Sequence, residues 1–188
     1  MGENLKYEEV IEAVRRWVES LVVGLNLCPF AKRELVKNRV RYAVTEAVTE
    51  EQLLLDLQFE LELLNRDDAI ETTLLIHPGV LQEFYDYNQF LNYADSKLAQ
   101  MGLNGVYQIA SFHPDYQFGG TQPDDAENYT NRSPYPLLHL IREESLERAI
   151  ANYPDSDQIP GRNIALLNGL GRDKIRALLQ ACFNATEK

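Results

Sequence analysis

Hydrophobic residues recur along this chain in two rhythms. Over residues 6–23, Val10, Val14, Trp17, Val18, Leu21 and Val22 repeat at intervals of three and four, with Glu8, Glu9, Glu12, Arg15, Arg16 and Glu19 on the other face. That is the pattern of an amphipathic helix. Gly24 is its expected C-cap, and Pro29 is the expected first residue of a short second helix, which puts Cys28 at or near the N-cap. The rhythm then shortens to two over residues 39–46, as a half-buried strand requires. Thr49 with Gln52 makes a capping box for a helix running to about Asn65. Its stripes Leu53, Leu57, Leu61, Leu64 and Leu55, Phe59, Leu63 predict burial over a wide arc.

The alternation continues. Residues 70–76 predict a second strand that stops at His77-Pro78-Gly79. A helix over about 81–101 follows, with Leu81, Phe84, Tyr85, Leu91 and Leu98 expected on the core side and Tyr87, Phe90 and Tyr93 on a contact face. Residues 106–112 predict a third strand, stopping at His113-Pro114-Asp115. A long polar loop leads to a fourth strand at 137–142, a short helix to about Asn152, and closing helices at about 160–169 and 172–183.

Two strand–helix–strand units in succession imply right-handed parallel crossovers, and a fourth strand reached without a helix is expected to pair antiparallel. The expected architecture is an α/β (α+β) sandwich: one domain over 1–188, with a small, mostly parallel four-stranded sheet, one antiparallel strand and flanking helices. A ferredoxin-like arrangement is the alternative.

Composition narrows the function classes. A net charge of −11 argues against nucleic-acid or anionic-membrane partners, which need a basic surface, while leaving a small-molecule ligand open. The N-terminus has neither signal-peptide nor myristoylation character, and no apolar run approaches a membrane span. With two cysteines in unrelated contexts, a cytoplasmic, reducing compartment is expected. Oligomeric state is not legible.

Chemistry concentrates between Ser111 and Glu143. If the strands before them are parallel, His77 and His113 emerge on one sheet edge, where open α/β sheets bind ligands. Each is a candidate base, metal ligand or anion binder; the plainer alternative is a strand-end histidine bonded to loop backbone. Cys28 beside a helix N-terminus, with Lys32 and Arg33 one turn on, is a candidate nucleophile or ligand, or else a small buried hydrophobe. His139, inside a strand, fits a satisfied half-buried residue. Cys182 shares a core stripe with Ile175, Leu178 and Leu179. Asn128, Asn131, Arg132 and Arg142 are candidate substrate binders, the arginines by bidentate pairing or else as ties to neighbouring acids. The acids Asp124, Asp125 and Glu127 offer hard oxygen ligands in no calcium-loop spacing, and Gly169-Leu170-Gly171-Arg172 reads as a helix break.

Four segments taken together, GLNLCPFA (24–31), FHPDYQF (112–118), DDAENYTNRSPYPLLHLIRE (124–143) and IPGRNIALL (159–167), resemble the bacterial family called domain of unknown function 1415 (DUF1415). The resemblance covers nearly the whole chain. It implies a single-domain cytoplasmic protein and carries no activity with it.

Three functions are therefore open. One is an enzyme on a small anionic metabolite, with Cys28 as nucleophile, His113 or His77 as base and Arg132 orienting the substrate. The second is a metal-dependent protein with Cys28, His77, His113 and Asp125 as candidate ligands and a divalent ion as the cofactor. The third is a non-catalytic binding or assembly module using the aromatic face of the 81–101 helix.

Overall fold

The structure, a computed structural model, describes residues 2–184; Met1, part of the N-terminal acylation argument, lies outside them. Helix α1 (Gly2–Trp17) runs on without a break into a π-helical segment, Val18–Val23. Gly24 is the C-cap, as expected, but keeps right-handed backbone (φ −62°). Leu27 N–H bonds Val22 O and Asn26 N–H bonds Val23 O, both at 2.9 Å, with Asn26 at φ 54°. This is a Schellman ending with Asn in the left-handed position. It carries the chain round to Cys28 and then to α2, which begins at Ala31 (Ala31–Val36) rather than at Pro29.

Strands β1 (Val40–Val44), β2 (Thr72–Ile76), β3 (Tyr107–Phe112) and β4 (Leu137–Arg142) form one sheet in the order β1-β2-β4-β3. β1 and β2 are parallel, and β4 is antiparallel to both β2 and β3. Three strands therefore point one way, with the fourth inserted between two of them. The mixed α/β sheet is as expected, and this order is not ferredoxin-like.

Helices α3 (Glu50–Arg66) and α4 (Phe84–Gln100) cover one face of the sheet. Leu53, Leu57, Leu61, Leu64, Tyr87, Phe90, Ala94 and Leu98 pack there on Ala43, Leu75, Leu138 and Leu140. The other face holds α1, α6 (Ile159–Leu170) and α7 (Arg172–Ala181), whose Val14, Trp17, Leu21, Leu167 and Ile175 meet Leu74, Ile76 and Leu137. Helix α5 (Glu143–Ala151) follows β4 directly. Gly171 (φ 83°) makes the break between α6 and α7.

The capping box forms: Thr49 Oγ1 accepts from Gln52 N–H, and Gln52 Oε1 accepts from Val48 N–H. Two expectations about helix faces fail. On α3 the first leucine stripe is fully buried, but Leu55 and Phe59 of the second face solvent. On α4 three residues change sides: Tyr87 and Phe90 are core and Tyr85 is exposed, while Tyr93 is exposed and Leu98 buried as expected. Tyr87, Phe90, Ala94 and Leu98 stand at i, i+3, i+7 and i+11, a cleaner helical stripe than the one built on Tyr85.

Arg142, a candidate substrate binder, sits at the far end of β4, opposite Tyr107 at the start of β3. Its guanidinium donates to Leu64 O, Asp67 O and Ile70 O, and to the Tyr107 hydroxyl at 3.0 Å. Leu64 O and Asp67 O belong to the C-terminal end of α3, where unpaired carbonyls and the negative helix terminus favour a cation. Arg142 is thus a fastener between sheet and helix. Arg142→Met should lower the unfolding free energy by about 2–4 kcal/mol by stranding these acceptors, read from urea titrations; a change within about 0.5 kcal/mol would refute the role.

Candidate functional site

The two strand-end histidines meet at the C-terminal edge of the sheet, on either side of the point where β4 begins. His77 N–H bonds Pro136 O at 3.0 Å and His113 N–H bonds Asn131 O at 3.2 Å. Both side chains point to the α4 face and are fully buried. Tyr87 of α4 lies between them, its ring centroid 5.8 Å from His77 and 5.0 Å from His113. Its hydroxyl donates to Leu137 O (2.8 Å) and accepts from Phe112 N–H (2.9 Å). Phe84 and Tyr116 extend the aromatic group outward from His113. Sequence reasoning missed Tyr87 because it was assigned to the wrong side of α4.

The imidazoles are committed to backbone. A carbonyl only accepts, so the His77 proton sits on Nδ1 and is donated to Val80 O at 3.0 Å. His113 donates from Nε2 to Leu81 O (3.1 Å), and its Nδ1 accepts from Asp115 N–H (3.0 Å). Two successive carbonyls of the β2–α4 loop are therefore gripped by two neutral rings. The grip falls on a strained residue, because buried Leu81 has φ 58°, a left-handed conformation that costs a bulky residue about 1–3 kcal/mol. His77 Nε2 is buried with no hydrogen-bond partner. Burial pushes the His77 pKa down to about 4 against the Val80 bond, and pushes His113 down as well. His113 has no nitrogen free for base catalysis, and His77 offers one lone pair shut away from solvent.

His139 lies on the opposite face, near Phe112. Its Nε2 is 2.7 Å from Thr72 Oγ1, which itself donates to Leu140 O. It is half-buried and satisfied, as expected, and burial lowers its pKa to about 4.

The polar loop 113–136 is held by the residues proposed as substrate binders. Asn128, fully buried, accepts from Phe118 N–H and the Thr121 hydroxyl and donates to Gln122 O. Asn131 donates to Ser111 O. Arg132 donates to Tyr116 O and Pro123 O and lies over the Tyr129 ring. Asp125 accepts from Gln122 N–H, Asp124 pairs with Arg172 at 2.9 Å, and Glu127 accepts from Asn168. These last two bonds clip the loop onto α6 and α7.

Cys28 belongs to the other layer. Leu27 before it packs with Trp17 and Leu21, and its carbonyl accepts from Asn163 of α6 at 2.8 Å. The thiol is half-buried. Burial raises its pKa, outweighing the Phe30 and Ala31 backbone N–H donors that favour thiolate. Among the described residues no hydrogen bond or ring contact joins Cys28 to either histidine, and no group of three or more His, Cys, Asp and Glu side chains is placed to hold a metal ion. Cys28, His77, His113 and Asp125 do not converge as a ligand set. Cys182 is buried, bonding Leu178 O.

Neutral buried histidines set the acid response. Their folded pKa values lie below the ordinary 6.5, so the unfolded chain takes up protons first. The stability they contribute is whole above pH 6.5 and falls as pH drops towards about 4. NMR titration should find His77 and His139 still neutral at about pH 5.5, where an exposed imidazole is mostly charged; midpoints near the ordinary value would contradict the geometry.

Among the described residues no helix is long and apolar enough to cross a membrane. No curated protein and no solved structure matches the chain. A family model described as "Protein of unknown function (DUF1415)" matches residues 9–177, nearly the whole chain. The four motif segments and the family match coincide, and the chain belongs to the DUF1415 family.

Proposed function

We propose that this protein is a non-catalytic binding module whose contact surface is the outer face of α3 and α4. One observation carries this: four large apolar or aromatic residues stand exposed on these two helices, Leu55 (65%), Phe59 (55%), Tyr85 (73%) and Tyr93 (58%). Lys97 Nζ reaches Gln58 Oε1 across the seam between the helices. At 3.6 residues per turn, Glu51, Leu55, Gln58 and Glu62 line the α3 side of that seam. Asp86, Gln89, Tyr93 and Lys97 line the α4 side, and Phe59 and Tyr85 lie just outside. A helix face meant only for water carries charge here, and grouped apolar residues mark interaction sites. The polar groups with catalytic potential support the same view, since His113, Asn128, Asn131, Arg132 and Arg142 are all occupied in holding backbone. Free Cys28 and Cys182 thiols fit a cytoplasmic setting.

Phe59→Ser with Tyr93→Ser should leave stability within about 0.5 kcal/mol, because both residues are exposed. A photo-crosslinker at position 93, in the full chain expressed in its native cells, should give a discrete adduct that Phe59→Ser suppresses. No adduct, or the same adduct from a crosslinker at exposed Gln180 of α7, would overturn the proposal.

A second proposal, an enzyme acting on a small anionic metabolite through Cys28, has one observation in its favour. The Cys28 turn is where two motif segments, 24–31 and 159–167, come together with Tyr153 between them: Asn163 holds Leu27 O, Phe30 meets Tyr153 edge-on, and the Arg162 guanidinium lies 5.7 Å from the Tyr153 ring centroid. Burial predicts that Cys28 alkylates with a midpoint above the ordinary thiol value of 9.0. Rapid alkylation at neutral pH would instead favour the enzyme.

A further inference from the structure

We infer that the occupant of the α3–α4 face is a basic, amphipathic helical segment of another protein. This rests on that face being a contact surface and adds the chemistry of what covers it. The apolar residues are interleaved with acids: Glu51 and Glu62 on α3, Glu83 at the N-cap of α4, and Asp86 in its first turn, all exposed. None of the four forms an ion pair among the described residues. Two cations stand nearby, Lys97 donating to Gln58 Oε1 and Arg66 to Glu62 O, so the four acids outnumber them. The face therefore carries net negative charge among its exposed apolar residues.

That combination selects among occupants. A second copy would bring the same carboxylates against themselves, on a chain that carries −11, and like charges in apposition oppose association. Nucleic acid and anionic lipid are repelled for the same reason. A cationic amphipathic helix is attracted by the acids and covers the exposed apolar residues with its own apolar side. α3 and α4 each follow one of two parallel strands, so they run side by side in one direction. Two parallel helices of 17 residues each present a straight face about 25 Å long, a length that suits a helix docking through anchors at i, i+3, i+4 and i+7. Leu55, Phe59, Tyr85 and Tyr93 offer the apolar contacts.

The test uses the full chain with p-benzoylphenylalanine at position 93, crosslinked in native cells, and the attached peptide sequenced by mass spectrometry. Two variants are run beside it: Phe59→Ser, and the charge reversal Glu51→Lys/Glu62→Lys/Asp86→Lys. The expected result is an adduct on a Lys/Arg-rich segment with helical apolar spacing. It should fall at least about ten-fold on charge reversal, and likewise in lysate as salt rises from about 0.05 to 0.5 M, where screening shortens to a few ångström. An adduct lost in Phe59→Ser but unmoved by charge reversal and salt, or attached to an acidic or neutral segment, overturns the basic partner and keeps the contact surface. An adduct to a second copy of the chain overturns it too. No adduct at all removes both. Circular dichroism and urea titration of each variant confirm that the fold is retained.

Discussion

The β2–α4–β3 crossover leaves a gap one strand wide in the middle of the sheet, and the rest of the structure depends on how that gap is filled. β4 fills it, running against both neighbours. Its first residue, Leu137, pairs with Ile76 on one side and Phe112 on the other. The Tyr87 hydroxyl fixes the same point from above by joining Leu137 O to Phe112 N–H. One phenol thus ties α4 to the beginning of β4 and the end of β3. A strand laid between two others at full burial needs this accuracy, because a one-residue slip would move every side chain of β4 to the other face.

The same insertion explains the chemistry-rich loop. To bring β4 in at that edge, the chain must cross from β3 over 24 residues, 113–136, largely as irregular backbone. Irregular backbone covered by protein has to find partners for its N–H and C=O groups. Asn128, Arg132 and His113 Nδ1 supply them inside the loop, Asn131 ties the loop to Ser111 O of β3, and the two histidines do the same service for the β2–α4 loop beside it. Side chains selected to satisfy buried backbone are the same types that serve catalysis, since both tasks want directional donors and acceptors. Here their bonds go to the fold.

This is why the sequence was legible in some places and not in others. The strands, the capping box at Thr49, the leucine stripe of α3 and the antiparallel sense of β4 follow from local periodicity and from connection length, and all are present. That His77 and His113 share an edge was equally legible, because it needs only two parallel strands ending in the same motif. Their bonding was not, because Val80 O and Leu81 O become acceptors only through a left-handed Leu81 that no local rule predicts. The α4 face was misjudged because aromatic residues occupy both sides of that helix, and hydrophobicity alone does not say which side meets the sheet. The left-handed residue that closes the first helix is Asn26, two past the Gly24 C-cap, because a π-helical stretch shifts the register by which a helix closes.

What stays unexplained by folding is then a small part of the surface. On the opposite layer α1, α6 and α7 bury their main apolar stripes against the sheet and one another, with Ile164 and Leu166 of α6 left partly exposed. On α3 and α4 the sheet-facing stripe is complete without Leu55, Phe59, Tyr85 or Tyr93, so these residues contribute nothing to the core. Their exposure costs solubility, and the chain's charge offsets that cost: at −11, copies of the protein repel one another over a distance of about a Debye length. An apolar seam on a weakly charged protein would be an aggregation site. On this one, net negative charge opposes the approach of another copy and, on the proposed reading, favours a cation-bearing partner.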